Sequence, residues 1–213
     1  YTPSDNTWTQ LASAPEARAG AASSWDAKRN RMMVFGGGDG GGITNTLLAY
    51  EADTDSWTTL TSGPTPRGSY EPNGGVWDTA NDRMLLFAGA DVEELLNELW
   101  AYDPNTDQWS QLNPSGTWPP ARAAHNALWD STTDRMLVFG GNGGSALGDH
   151  NDVWAYSTAE NEWVQLVQDQ PLPPVRRSHV AAWDSKAGRM LIWSGGNPRL
   201  SDFWTLQLNG GPE

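Results

Sequence analysis

The sequence contains no cysteine. That excludes disulfides, thiolate nucleophiles and Cys-ligated metals, and it is silent on compartment. It also has no run of about 18 apolar residues, so no membrane span is expected. Positive charge is scarce: 13 Lys and Arg stand against 26 Asp and Glu, a formal net charge of −13. A body this acidic repels phosphate backbones, so nucleic acid is not an expected partner. The three histidines, His125, His150 and His179, show no metal-ligand spacing, and neither a metal nor a cofactor is expected. The acids are dispersed through turns such as Asp53-Thr-Asp55 rather than gathered in a tail. Dispersed acidity is a solvation device, and from it an extracellular or cell-surface location is expected. Tyr1 opens the sequence with neither Met nor leader, as in a processed or trimmed chain.

What is present is tryptophan, 13 residues of it, in a chain only 38% hydrophobic. Residues 121–166 show how it is used. A first apolar segment ends at Trp129-Asp130 and is followed by a polar turn cluster. Met136-Leu-Val-Phe139 is a continuous apolar run too short for a helix, which suits a strand covered on both faces. Gly140-Gly141 closes it, where the backbone needs positive φ or close approach. Asp152-Val-Trp-Ala-Tyr156 and Trp163-Val-Gln-Leu166 make a third and a fourth strand. Four consecutive strands with both faces buried describe one blade of a propeller.

The rest of the chain repeats this unit. Trp-Asp recurs at Trp25, Trp77, Trp129 and Trp183, and Arg-Met at Arg31, Arg83, Arg135 and Arg189. The units cover roughly residues 15–60, 64–112, 119–166 and 174–208, in one domain spanning 1–213. The last unit lacks a fourth strand, and the N-terminus supplies one. Tyr1 and Trp8 to Leu11 match Tyr156 and Trp163 to Leu166, with the same Tyr-to-Trp spacing. The expectation is an all-β propeller of four blades, its ring closed by residues 1–11 as the outer strand of the last blade. A piece of a larger propeller is the alternative.

These residues resemble the kelch repeat. The likeness rests on the Arg-x-x-His of Arg122 and His125 and of Arg176 and His179, the Gly pair, and the Tyr and Trp around the last turn. It covers essentially the whole chain, and the spacing agrees with a kelch period of about 50. There are departures. Ala21 replaces the His of the first copy, Ala88-Gly89 replaces Gly-Gly in the second, and that copy is lengthened between Arg67 and Trp77. Most kelch propellers have six or seven blades, so ring size is open. Some kelch-like propellers carry copper oxidase chemistry built on a Tyr–Cys cross-link, which a chain without Cys does not form.

Function is expected on the face formed by the loops between second and third strands, residues 37–44, 90–96, 142–150 and 197–200, which differ most among the copies. Arg18, Arg67, Arg122 and Arg176 open the innermost strands around a channel mouth, where guanidinium groups suit a carboxylate or sulfate. Their structural role, tying blades together, is the competing reading. His150 stands outside the repeat. Asp91 with Glu94 reads as a helix start, which would turn Val92, Leu95 or Leu96 outward within a rim of Glu93 and Glu94. No catalytic set is assigned. The expected role is non-catalytic recognition of a protein or glycan, as a component of a larger assembly; the alternative is a sugar-active lyase or mutarotase using Arg, His and carboxylates.

Overall fold

The structure is a computed structural model and describes residues 1–38, 41–60, 64–68, 74–166 and 171–208. The lengthened stretch of the second copy falls largely on residues 69–73, outside the described residues. The first blade is β1 (Ala22–Asp26), β2 (Arg31–Phe35), β3 (Leu47–Glu51) and β4 (Ser56–Leu60). The second is β5 (Gly75–Asp78), β6 (Arg83–Ala90), β7 (Leu95–Asp103) and β8 (Gln108–Leu112). After the short β9 (Ser115–Gly116), the third blade is β10 (Asn126–Asp130), β11 (Arg135–Phe139), β12 (Val153–Ser157) and β13 (Glu162–Leu166). A single helical turn, α1 (Gly144–Leu147), lies between β11 and β12. The fourth blade is β14 (Val180–Asp184), β15 (Arg189–Trp193) and β16 (Phe203–Gln207). Successive strands within each blade pair antiparallel, so the four-blade, all-β reading holds.

In the first, second and fourth blades the recurring Trp-Asp and Arg-Met dipeptides form one device, whereas Asp130 of the third accepts from Thr132 N and Thr133 Oγ1. Each Asp faces its Arg across the first hairpin, as Asp26 faces Arg31 in register. Arg31 Nε donates to Asp26 Oδ2 at 3.1 Å, Arg83 to Asp78 at 2.9 Å and Arg189 to Asp184 at 3.0 Å. The other Asp oxygen accepts a turn N–H, from Arg29 at 3.0 Å and from Asn81 at 3.0 Å. One carboxylate thus closes a turn and anchors a strand, with its own hydrogen bonds satisfied despite burial. The Gly pair serves close approach as well as positive φ. Gly141 has φ of 101°, and a Cβ there would stand 2.8 Å from the Cβ of His125.

The core lies between blades rather than inside any one of them. Met33, Phe35 and Leu47 of the first blade meet Trp77, Met84 and Trp109 of the second. Leu85, Phe87 and Leu99 of the second meet Met136, Trp154 and Trp163 of the third. A smaller cluster joins Phe139 and Val153 to Met190 and Ile192. The innermost strands follow the same order, β1 against β5, β5 against β10 and β10 against β14, and no comparable contact returns β14 to β1.

The expected ring closure is corrected. Among the described residues no strand pairs with the outer edge of β16, and residues 1–11 fold upon themselves. Tyr1 lies 5.3 Å from Trp8 and its hydroxyl donates to Asn6 Oδ1 at 2.8 Å. The same corner recurs in the blades, with Tyr50 5.3 Å from Trp57 and Tyr102 5.3 Å from Trp109. The Tyr-to-Trp spacing therefore encodes a local corner, which forms without a partner strand. Ala12 N donates to Asp55 Oδ1 at 2.8 Å and Trp57 Nε1 to Ala12 O at 2.9 Å. These bonds tie the segment to the first blade, away from β16.

Candidate functional site

The entry arginines are positioned by the residue two before the tryptophan of the third strand. Arg122 is fully buried and forks onto Asp152, Nη1 to Oδ1 at 2.7 Å and Nη2 to Oδ2 at 2.8 Å. It also donates to Gly140 O at 2.9 Å and Pro120 O at 3.1 Å. Trp154 Nε1 also donates to Oδ2 of this carboxylate, at 2.6 Å. Burial pushes Asp152 up, and Arg122 and Trp154 outweigh it, leaving the carboxyl below its ordinary value. Arg176 repeats the arrangement on Asp202 at 2.8 and 2.7 Å, with Trp204 as the clamp. Its hydrogen bonds are the main reason that Asp202 is held at about 2. The backbones of these arginines join neighbouring blades: Gly89 N donates to Arg122 O at 2.9 Å and Gly141 N to Arg176 O at 2.9 Å. Arg122 and Arg176 are thus built into the scaffold.

Arg67 and Arg18 differ from that pair. Arg67 is partly exposed and gathers three acids, Asp91 at 3.0 Å, Glu94 at 2.8 Å and Glu98 at 3.1 Å. Glu94 chiefly raises the Arg67 pKa, while the N–H groups of Glu94 and Glu93 hold Asp91 below its ordinary value. Asp91 is thereby kept as a carboxylate, the opposite of what a general acid needs. Arg18 has no aspartate; it donates to Thr46 O at 3.0 Å and to Gly36 O at 3.3 Å. His150 is half-buried, and burial with the nearby Arg122 charge lowers its pKa. Its ring closes over Gly143, where a Cβ would stand 2.4 Å from Nε2.

The loop expected to hold a helical turn is a tight hairpin. β6 runs to Ala90 and β7 begins at Leu95, paired with it in register. Asp91 Oδ1 accepts from the N–H groups of Glu93 and Glu94, both at 2.8 Å, so the acid caps a turn. Leu96 is buried and Leu95 half-buried; the outward apolar residue is Val92, 83% exposed. The helical turn belongs to the third blade instead, and there Leu147 is 60% exposed. Leu95 leans towards that loop, 3.4 Å from where a Cβ on Gly144 would sit, so the two loops are neighbours. Sequence reasoning included Val92 among the outward residues, for the wrong local structure, and missed Leu147 and the acid before the third-strand Trp of three blades. Aligning Glu98, Asp152 and Asp202 with Thr46 would have found the last of these.

No group of three or more His, Asp or Glu suited to a metal occurs among the described residues. No helix among them is long and apolar enough to cross a membrane.

The family model described as the KLHDC2/KLHL20/DRC7 Kelch-repeats domain matches residues 1–196. The chain is 30% identical over 189 residues to the Rab9 effector protein with kelch motifs of Xenopus laevis, covering 84% of this chain and 50% of that one. It is 34% identical over 137 residues to the leucine-zipper-like transcriptional regulator 1 homolog of Drosophila melanogaster, covering 61% and 14%. With host cell factor 1 of Homo sapiens the identity is 26% over 206 residues, covering 86% and 10%. The chain spans half the length of these relatives or less. They also correct the expected extracellular location. A Rab9 effector and a transcriptional regulator are named for roles inside cells, whereas dispersed acidity was that expectation's only support.

Proposed function

The chain belongs to the kelch-repeat family, and from that premise we propose that it is a recognition module holding a protein partner on the face of its second-to-third-strand loops. One observation carries the reading. Val92 and Leu147 stand exposed on neighbouring loops of adjacent blades, beside the ion-paired cluster of Arg67, Asp91, Glu94 and Glu98. Apolar anchors within a charged rim are how interface hot spots are built, and the rigid blades beneath keep the patch preorganised. Relatives point the same way, since one is named as an effector of Rab9. A Val92→Asp, Leu147→Asp double variant should keep its melting temperature within about 2 °C, as surface changes do. The test is affinity purification with the wild type and the variant side by side. Proteins enriched by the wild type and lost by the folded variant are the expected result. Equal recovery with both would sink the proposal, because the patch would then be irrelevant to binding.

A further inference from the structure

Three blades share an internal chain of arginine, acid and tryptophan, and the first blade keeps only the arginine. In the second blade Arg67 Nη2 meets Glu98 Oε1 at 3.1 Å and Trp100 Nε1 meets Glu98 Oε2 at 2.9 Å. In the first, Thr46 and Leu48 occupy the positions of the acid and its clamp. Arg18 is left with a side chain only 5% exposed. Its Nη1 donates to the carbonyls of Thr46 and Gly36, and its Nη2 to the Thr46 hydroxyl and to Glu16 Oε1 at 3.1 Å. The Nε–H, which in the third and fourth blades donates to Pro120 and Pro174, has no partner here. Glu16, its ion-pair partner, has a side chain 42% exposed. Beside this pair opens a cleft of about 280 Å³, lined by Glu16, Ala17, Arg18, Gly41, Gly42, Ile43 and Thr44.

We propose that the cleft is a carboxylate-binding site, in which an acid from outside replaces Glu16 and gives Arg18 the charge partner that Asp152 and Asp202 give the arginines of their own blades. A buried guanidinium is stable only when paired, and its planar fork suits a two-oxygen acceptor. The incoming carboxylate displaces Glu16, which is held on the exposed rim where ion pairs contribute little. The hydroxyls of Thr44 and Thr46 are bonded to each other at 2.7 Å, which leaves one proton of the pair to donate to a remaining lone pair. Gly41 and Gly42 keep the wall low. The volume suits an Asp or Glu side chain or a short dicarboxylate, at the small end of ligand sites. The site does not depend on the Val92 and Leu147 patch, so either can fail without the other.

The test uses the whole chain, with glutarate and a capped tripeptide centred on glutamate as probes, followed through the Arg18 Nε–H signal by NMR. Saturable shifts are expected in the wild type, with Glu16→Gln binding about fivefold tighter once the competing acid is gone. Thr46→Asp restores the internal acid and should abolish binding while raising the melting temperature. This variant keeps the test alive if Arg18→Gln fails to fold. Tighter binding of the tripeptide assigns the acid to a partner protein, and tighter binding of glutarate to a free metabolite. Two results overturn the site: no saturable shift by about 50 mM, or unchanged binding in Thr46→Asp.

Discussion

His125 and His179 occupy one repeat position, each with its ring against an aromatic of the preceding blade, 5.8 Å from Phe87 and 5.2 Å from Phe139. Burial, followed by the charges of Arg122 and His179, pushes His125 down to about 3. Burial and then Arg176 push His179 down to about 4. Both values lie below the unfolded one of about 6.5, so the folded protein binds fewer protons across that gap. The stabilisation from neutral histidine is complete above about pH 6.5 and is lost as pH falls towards the folded values. At pH 5 the loss is on the order of 2 kcal/mol for each residue. The melting temperature should therefore drop between pH 7 and pH 5, and a His125→Leu, His179→Leu variant should flatten that slope. A wild-type curve already flat over the interval would refute the assignment. The shared position of these residues was visible in the sequence, in the recurring Arg-x-x-His. Their enforced neutrality was not, because it depends on atoms contributed by a different blade.

At the scale of elements, the hairpin joining β6 to β7 shows where local pattern stops being decisive. Asp91 with Glu94 is compatible with a helix cap and with a capped turn, since both have a carboxylate accepting free N–H groups. Strand pairing out to Ala90 and Leu95 selects the turn, and pairing is a property of two segments together. The consequence is that Val92, of the three apolar residues in this stretch, is the one that faces out. Leu96→Ala should cost about 2–4 kcal/mol, as for other buried leucines, while Val92→Asp should stay within about 0.5 kcal/mol. Urea unfolding of the two variants measures both. If Val92→Asp proves the more damaging, the hairpin's faces have been assigned the wrong way round. The strands themselves were legible residue by residue, because their apolar runs and turn clusters recur four times.

For the whole molecule, counting strands revealed four blades but could not reveal how the row ends. Tyr1 and Trp8 match the repeat because they build a corner, and a corner carries no instruction about which blade receives it. The row of blades is consequently unequal along its length. Among the described residues the second and third blades are packed on both sides, whereas the first and fourth each pack against one neighbouring blade. On the outer side of the fourth blade, Val180, Trp193 and Phe203 remain exposed. In a stacked array, stability is a sum over units and the contacts between nearest neighbours. Amide protons then keep time differently along the chain. Deuterium should enter β14, β15 and β16 first and β6, β7, β11 and β12 last, a gradient readable by mass spectrometry of peptic fragments. Uniform uptake would instead show that all four blades open as a single event.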